Sequence, residues 1–158
     1  MKDLQGPAVR IEDDFYGWLL DQGAALRERR VASLDWDNLA EELEEKARRD
    51  RDAVVSDLEV VLSHLLKLAY ERRSSERKRR ERQWKLDVTE HRNRIQDLLE
   101  GSGSLESRFE DLKTKAYSRA RKLAGIAIGA HQEPLGPLNC PWTKEQILDD
   151  SFFPAVSD

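Results

Sequence analysis

Residue types that build disulfide, metal or turn-rich frameworks are scarce in this chain. A single cysteine, Cys140, excludes an intramolecular disulfide and a cysteine-rich zinc site, and it fits a reducing compartment. Eight glycines and five prolines are too few for the closely spaced turns of an all-β chain. Long apolar runs are missing as well. The longest uncharged helical stretch, residues 123–132, falls far short of the ~20 residues that span a bilayer, and residues 1–10 lack the apolar core of a secretory leader. These absences predict a soluble, cytoplasmic protein without a membrane segment.

Charge is abundant but nearly balanced. Twenty-seven basic and 31 acidic residues leave a formal charge of -4, which excludes a protein that coats nucleic acid with its whole surface. Leu, Ile, Val and Phe make 38 of the 158 residues, above the roughly 20% at which cores fail, so one modest core is expected. Richness in Leu, Glu, Arg and Ala points to long helices, and the length suits one domain over 11–158 behind a flexible arm at 1–10.

Helical periodicity organises the rest. Asp13 is the expected cap of a helix over 14–30, with Phe15, Trp18, Leu19, Gln22 and Leu26 on one face. Asp35 then caps a second helix over 36–70, whose stripe is Trp36, Leu39, Leu43 and Ala47, then Val54, Leu58, Val61, Leu62, Leu65 and Leu68. Asp50 and Arg51 interrupt that stripe, so the helix either breaks there or outruns its partners. Trp84, Val88, His91, Ile95 and Leu98 step by 4, 3, 4 and 3 along a third helix. Ser104 is the expected cap of a fourth, striped by Leu105, Phe109, Leu112, Ala116, Ala120, Leu123 and Ala127. Residues 131–142 read as an ordered loop that buries Leu135, Leu138 and Trp142. A Thr143-x-x-Gln146 capping box opens a last short helix through Asp149.

Five ordered strings also match a known family. They are Asp14-Phe-Tyr-Gly-Trp18, Leu34-Asp-Trp-Asp-Asn-Leu-Ala-Glu-Glu-Leu-Glu44, His64-Leu-Leu-Lys67, Trp84 with Arg92, Ile95, Leu98 and Leu99, and Cys140-Pro-Trp-Thr143 with Gln146-Ile-Leu-Asp149. Over residues 12–154 the chain resembles the bacterial family called domain of unknown function 29. The resemblance implies an all-helical protein and transfers no activity or catalytic residue.

Chemistry-bearing patterns are few. A di-metal helical site needs Glu-x-x-His, yet Val61, Val88 and Ile128 stand three residues before the three histidines. On one continuous helix Glu42 and His64 are about 33 Å apart at 1.5 Å per residue. Glu42, Glu45, His64 and His91 therefore form a site only if folding brings them together, and no metal or cofactor is expected. His64 and His91 read first as core imidazoles with hydrogen-bond partners. In a helical hairpin turning near 74–75 their levels differ by about 10 Å. Cys140 with His131 is a thiol–imidazole pair by type, but its place before Pro141-Trp142 reads as loop packing.

One segment is strongly biased. Residues 71–85 carry eight basic and three acidic side chains, about +5, against about -9 for the remainder. Arg72, Arg73, Arg77, Lys78, Arg79, Arg80 and Arg82 can neutralise phosphates, with Trp84 as a stacking ring. The rival reading is a solvated helix end, with Glu71, Glu76 and Glu81 pairing locally or the segment facing the Glu-rich start of helix two. The expectation is an all-α, mostly antiparallel bundle of four main helices plus a short C-terminal one. Its leading function is a non-enzymatic interaction or adaptor module, binding another protein or itself as a homodimer. A local nucleic-acid binder acting through 72–85 is the alternative, and a metal-dependent or hydrolytic enzyme is the third.

Overall fold

The computed structural model describes residues 7–129 and 133–157. They form an all-α protein: α1 (Phe15–Arg27), α2 (Trp36–Tyr70), α3 (Ser74–Leu99), α4 (Gly103–Glu106), α5 (Phe109–Ala127) and α6 (Lys144–Leu148), with one 3-10 turn at Val31–Ser33. No strand occurs among the described residues. None of the described helices is long and apolar enough to cross a membrane. The chain divides into two compact units, the first ending at Arg49 and the second beginning at Asp50.

In the first unit α1 is capped one residue later than expected, by the Asp14 carboxylate, which accepts from the Gly17 amide. Its buried stripe is Trp18, Gln22 and Ala25, and the expected partners Phe15, Leu19 and Leu26 are exposed. The short return through Val31–Ser33 decides which side is covered. Gln22 accepts from the Asp35 amide (2.8 Å) and donates to the Ser33 carbonyl, while the Trp18 indole donates to the Asp35 carboxylate. That carboxylate also accepts from the Asn38 side chain at 2.8 Å, so Asp35 ties the return turn to the start of α2.

α2 runs unbroken through Asp50 and Arg51. Its first half buries no side chain: Trp36, Leu43 and Ala47 are exposed and Leu39 is half-buried, so of the two expected alternatives the helix does not break but outruns its partners. From Val54 onward the character reverses. Val54, Val55, Leu58, Val61, Leu62, Leu65, Leu66 and Leu68 are all buried on one broad face, and from Val61 to Ala69 every residue but the half-buried His64 is buried, so that last stretch lies inside the core.

Around it, α3 supplies Trp84, Val88, Ile95 and Leu99, α5 supplies Phe109, Leu112, Ala116, Tyr117 and Ala120, and α6 supplies Ile147. α3 starts ten residues before the expected seam, so the basic segment is helical. Arg, Lys and Glu are good helix formers, and Glu76–Arg80, Arg77–Glu81 and Glu81–Lys85 ion pairs follow the i,i+4 spacing. The turn into α3 falls at residues 71–73 rather than 74–75. There the buried Glu71 carboxylate accepts from the Arg73 amide and guanidinium, and this holds its pKa below the usual carboxylate range.

The expected fourth helix is split into the single turn α4 and the longer α5. Late in α5 the stripe drifts, burying Ala124 and Gly125 and exposing Leu123 and Ala127. The loop after α5 packs on Gly125, where a β-carbon would overlap the Glu133 carbonyl oxygen. Arg121 donates to the Leu135 and Gly136 carbonyls and the Tyr117 hydroxyl to that of Pro137. Trp142 is buried and Leu135 half-buried, but Leu138 is 80% exposed, because the ties that hold the loop are polar ones from its neighbours. The capping box at Thr143 and Gln146 forms as expected and opens α6.

Candidate functional site

The sequence folds a seam of ionisable side chains into the α2–α3 contact of the second unit. The second half of α2 carries polar residues among its valines and leucines, and packing draws them in: Asp57 and Lys67 are buried and His64 is half-buried. α3 meets them with Asp87 and His91. His91 Nδ1 lies 2.6 Å from the Asp57 carboxylate, and His64 Nε2 lies 3.3 Å from that of Asp87. Lys67 Nζ sits 5.4 Å over the Trp84 ring. Partner numbers fall along α2 as they rise along α3, so the two helices are antiparallel.

Burial sets the protonation states. It is the main cause that lowers the His64 pKa to about 4, with the Lys67 ammonium acting in the same direction and the Asp87 carboxylate opposing both. His64 is therefore a neutral imidazole near pH 7, and its buried Nδ1 has no hydrogen-bond partner. Burial likewise lowers the Lys67 pKa to about 8, against the pull of Asp87.

A second polar anchor lies further along α3. Arg92 is fully buried, donating through Nε to the Ile147 carbonyl (2.6 Å) and through Nη2 to that of Phe152 (2.9 Å) and, at 3.4 Å, that of Gln146. Its guanidinium lies 5.2 Å from the Phe153 ring centre. Desolvation pulls the Arg92 pKa down, and Nη1 is buried without a partner. This residue clamps α6 and the segment after it onto α3.

The four polar candidates do not converge. Glu42 and Glu45 pair with Arg49 and Arg48 at the start of α2, whereas the two histidines are held by Asp87 and Asp57. No group of three or more His, Cys, Asp or Glu suited to a metal ion occurs among the described residues. Neither histidine is hydrogen-bonded to a hydroxyl or thiol there. Burial raises the Cys140 pKa, which keeps the thiol protonated; its sulfur lies 3.7 Å from the Trp142 carbonyl, and His131 lies outside the described residues.

The basic residues divide by environment. Arg73 is held by Glu71 and the Ile128 carbonyl, Arg77 by the Leu68 carbonyl and Glu81, and Arg80 by Glu76. Arg72, Lys78, Arg79 and Arg82 are exposed and make no close ion pair among the described residues. Trp84 is a core residue covered by Lys67, so its ring is not presented at the surface. Lys78, Glu81, Arg82, Lys85, Leu86 and Phe153 line an open groove of about 490 Å³ along α3.

Sequence reasoning found His64 and His91 but missed Asp57, Lys67 and Asp87. The available signal for Asp57 and Lys67 was the density of valine and leucine over residues 54–69, which crowds polar side chains against the core; Asp87, on α3, carried no such signal.

Fold and site together define an all-α protein with a half-buried acid–imidazole seam and a basic surface groove. The chain belongs to the family described as "Domain of unknown function DUF29", which it matches over residues 11–153. No curated protein and no solved structure gives a match.

Proposed function

We propose that the protein is a non-enzymatic interaction module. The observation that carries this reading is the surface of the first unit: Phe15, Tyr16, Leu19, Leu20, Trp36 and Leu43 are exposed, while only Trp18, Gln22 and Ala25 are buried among its described residues. Phe15, Tyr16, Leu19 and Leu20 share one side of α1, and large apolar side chains grouped in water in this way are the mark of a surface that another molecule covers. The polar seam supports the same reading. Its imidazoles are occupied by carboxylates across the α2–α3 contact, an arrangement suited to fixing helix register.

The test is a photocrosslinking amino acid placed at Tyr16 or Leu20 in living cells, with exposed Lys115 as the control position. Discrete adducts at the first two positions, lost on Leu19→Glu, are expected. Absence of adducts there refutes the reading.

A second reading rests on Arg72, Lys78, Arg79 and Arg82, four exposed cations on or beside one helix. Under it, nucleic acid binds at low salt with a logarithm that falls steeply with log salt, and neutralising the four residues abolishes binding. An interaction module without that role shows no binding even at low salt.

A further inference from the structure

The groove on α3 has a definite chemistry. Its floor is apolar, formed by the half-buried Phe153 ring and by Leu86, which is 55% exposed. The rim is basic. Lys78 and Arg82 carry no carboxylate partner among the described residues, and the one acid present, Glu81, is already neutralised by Lys85 at 2.7 Å and Arg77 at 3.7 Å. Lys85 also reaches over Phe153, at 5.4 Å from the ring centre. The matching ligand is a helix that offers an aromatic or aliphatic stripe bordered by carboxylates not already paired.

This chain itself contains such a helix. In the first half of α2, Trp36, Ala40, Leu43 and Ala47 step by 4, 3 and 4 and share a face. Both Trp36 and Leu43 are exposed. Asp37 and Glu44, seven residues apart along one edge of that face, are exposed and form no close ion pair among the described residues, whereas Glu42 and Glu45 are taken up by Arg48 and Arg49. Asp37 and Glu44 on the stripe's edge and Lys78 and Arg82 on the groove's rim are complementary in sign, and each set accompanies an uncovered apolar strip.

We propose that the partner of the interaction module is a second copy of the chain, with the Trp36 and Leu43 stripe of one protomer seated in the Lys78 and Arg82 groove of the other. Each copy carries one stripe and one groove, and a dimer in which both contacts are made reciprocally is the closed form of this pairing. This deepens the proposed function and rests on it.

Sedimentation equilibrium and light scattering on the full chain test it. The wild type is expected to be a dimer that dissociates as salt rises. Reversal of the rim (Lys78→Glu with Arg82→Glu) and reversal of the stripe's edge (Asp37→Lys with Glu44→Lys) each weaken association about 100-fold or more. Mixing the two reversed variants restores a heterodimer, because each groove then meets a stripe of opposite charge. All these positions are exposed, and circular dichroism confirms that each variant keeps its helices.

A wild-type monomer at every concentration overturns the proposal, as does a dimer indifferent to both reversals or reversed variants that fail to pair. In those cases adducts at Tyr16 and Leu20 still separate the two ideas. A heterologous adduct leaves the interaction module standing with a different partner, and no adduct removes both.

Discussion

Replacing Arg92 with methionine sets the anchoring of α6 against the cost of burying a cation. The side chain has no exposure, and two of its donors make short bonds to the Ile147 and Phe152 carbonyls, with a third, longer contact to Gln146. Hydrogen bonds from a charged donor contribute about 1.5–3 kcal/mol each, so the two short ones amount to roughly 3–6 kcal/mol. Against this stands the unpaired Nη1, whose burial costs about 1–3 kcal/mol and is relieved when the guanidinium goes. Methionine fills most of the vacated volume, and the freed carbonyls recover water if the segment after Leu148 lifts away. The balance is a loss of about 2–3 kcal/mol. Urea unfolding followed by tryptophan fluorescence measures it, since Trp142 is buried just before α6. With a slope of about 1–3 kcal/mol per molar urea, the midpoint is expected to fall by about 1 M. Limited proteolysis after Leu148 accelerates in parallel. An unchanged or higher midpoint would show that desolvation outweighs the carbonyl anchors and that the reasoning is wrong.

Two further outcomes follow from the core. His64 has a folded pKa of about 4 against an ordinary value of 6.5, so between those limits the unfolded chain binds a proton that the folded chain refuses. Its contribution to stability is full above pH 6.5 and is lost as pH falls toward 4, about 3 kcal/mol over the window at 1.36 kcal/mol per pH unit. Urea midpoints at pH 7, 6 and 5 should therefore converge less steeply in a His64→Gln variant than in the wild type, and identical slopes would count against a neutral His64. Gly125→Ala gains helix propensity of about 1 kcal/mol but forces a β-carbon onto the Glu133 carbonyl oxygen. A net loss of about 1–2 kcal/mol and a lower Tm are expected; a higher Tm would mean that the loop gives way freely.

Much of this architecture was readable before any coordinates. Helix α2 spans the expected residues because its apolar positions recur at helical spacing on both sides of Asp50 and Arg51, and Arg48, Arg49, Arg51 and Ala53 between them are good helix formers. The capping box at Thr143 was legible because both of its partners lie within four residues. The exposed face of α1 was not. Which side of a short amphipathic helix is covered depends on where the chain returns, and Gln22, a polar residue, turned out to hold that return. The polar seam escaped for a related reason. Tracing apolar stripes skips charged residues, yet Asp57, Lys67 and Asp87 are fixed by packing across helices far apart in sequence. Leu138 was misplaced because its loop is held by Arg121 and Tyr117 rather than by its own apolar side chains.

The unbroken α2 also makes one helix a gauge of two stabilities. Between Trp36 and Ala53 no side chain is buried, so its amide protons there exchange with solvent through small local openings. From Val54 to Ala69 most side chains lie in the core, and exchange must wait for the core itself to open. The rate profile along a single helix thus steps near residue 54. A partner that settles on Trp36 and Leu43 moves that step toward the N-terminus, and the position of the step reports occupancy without any label.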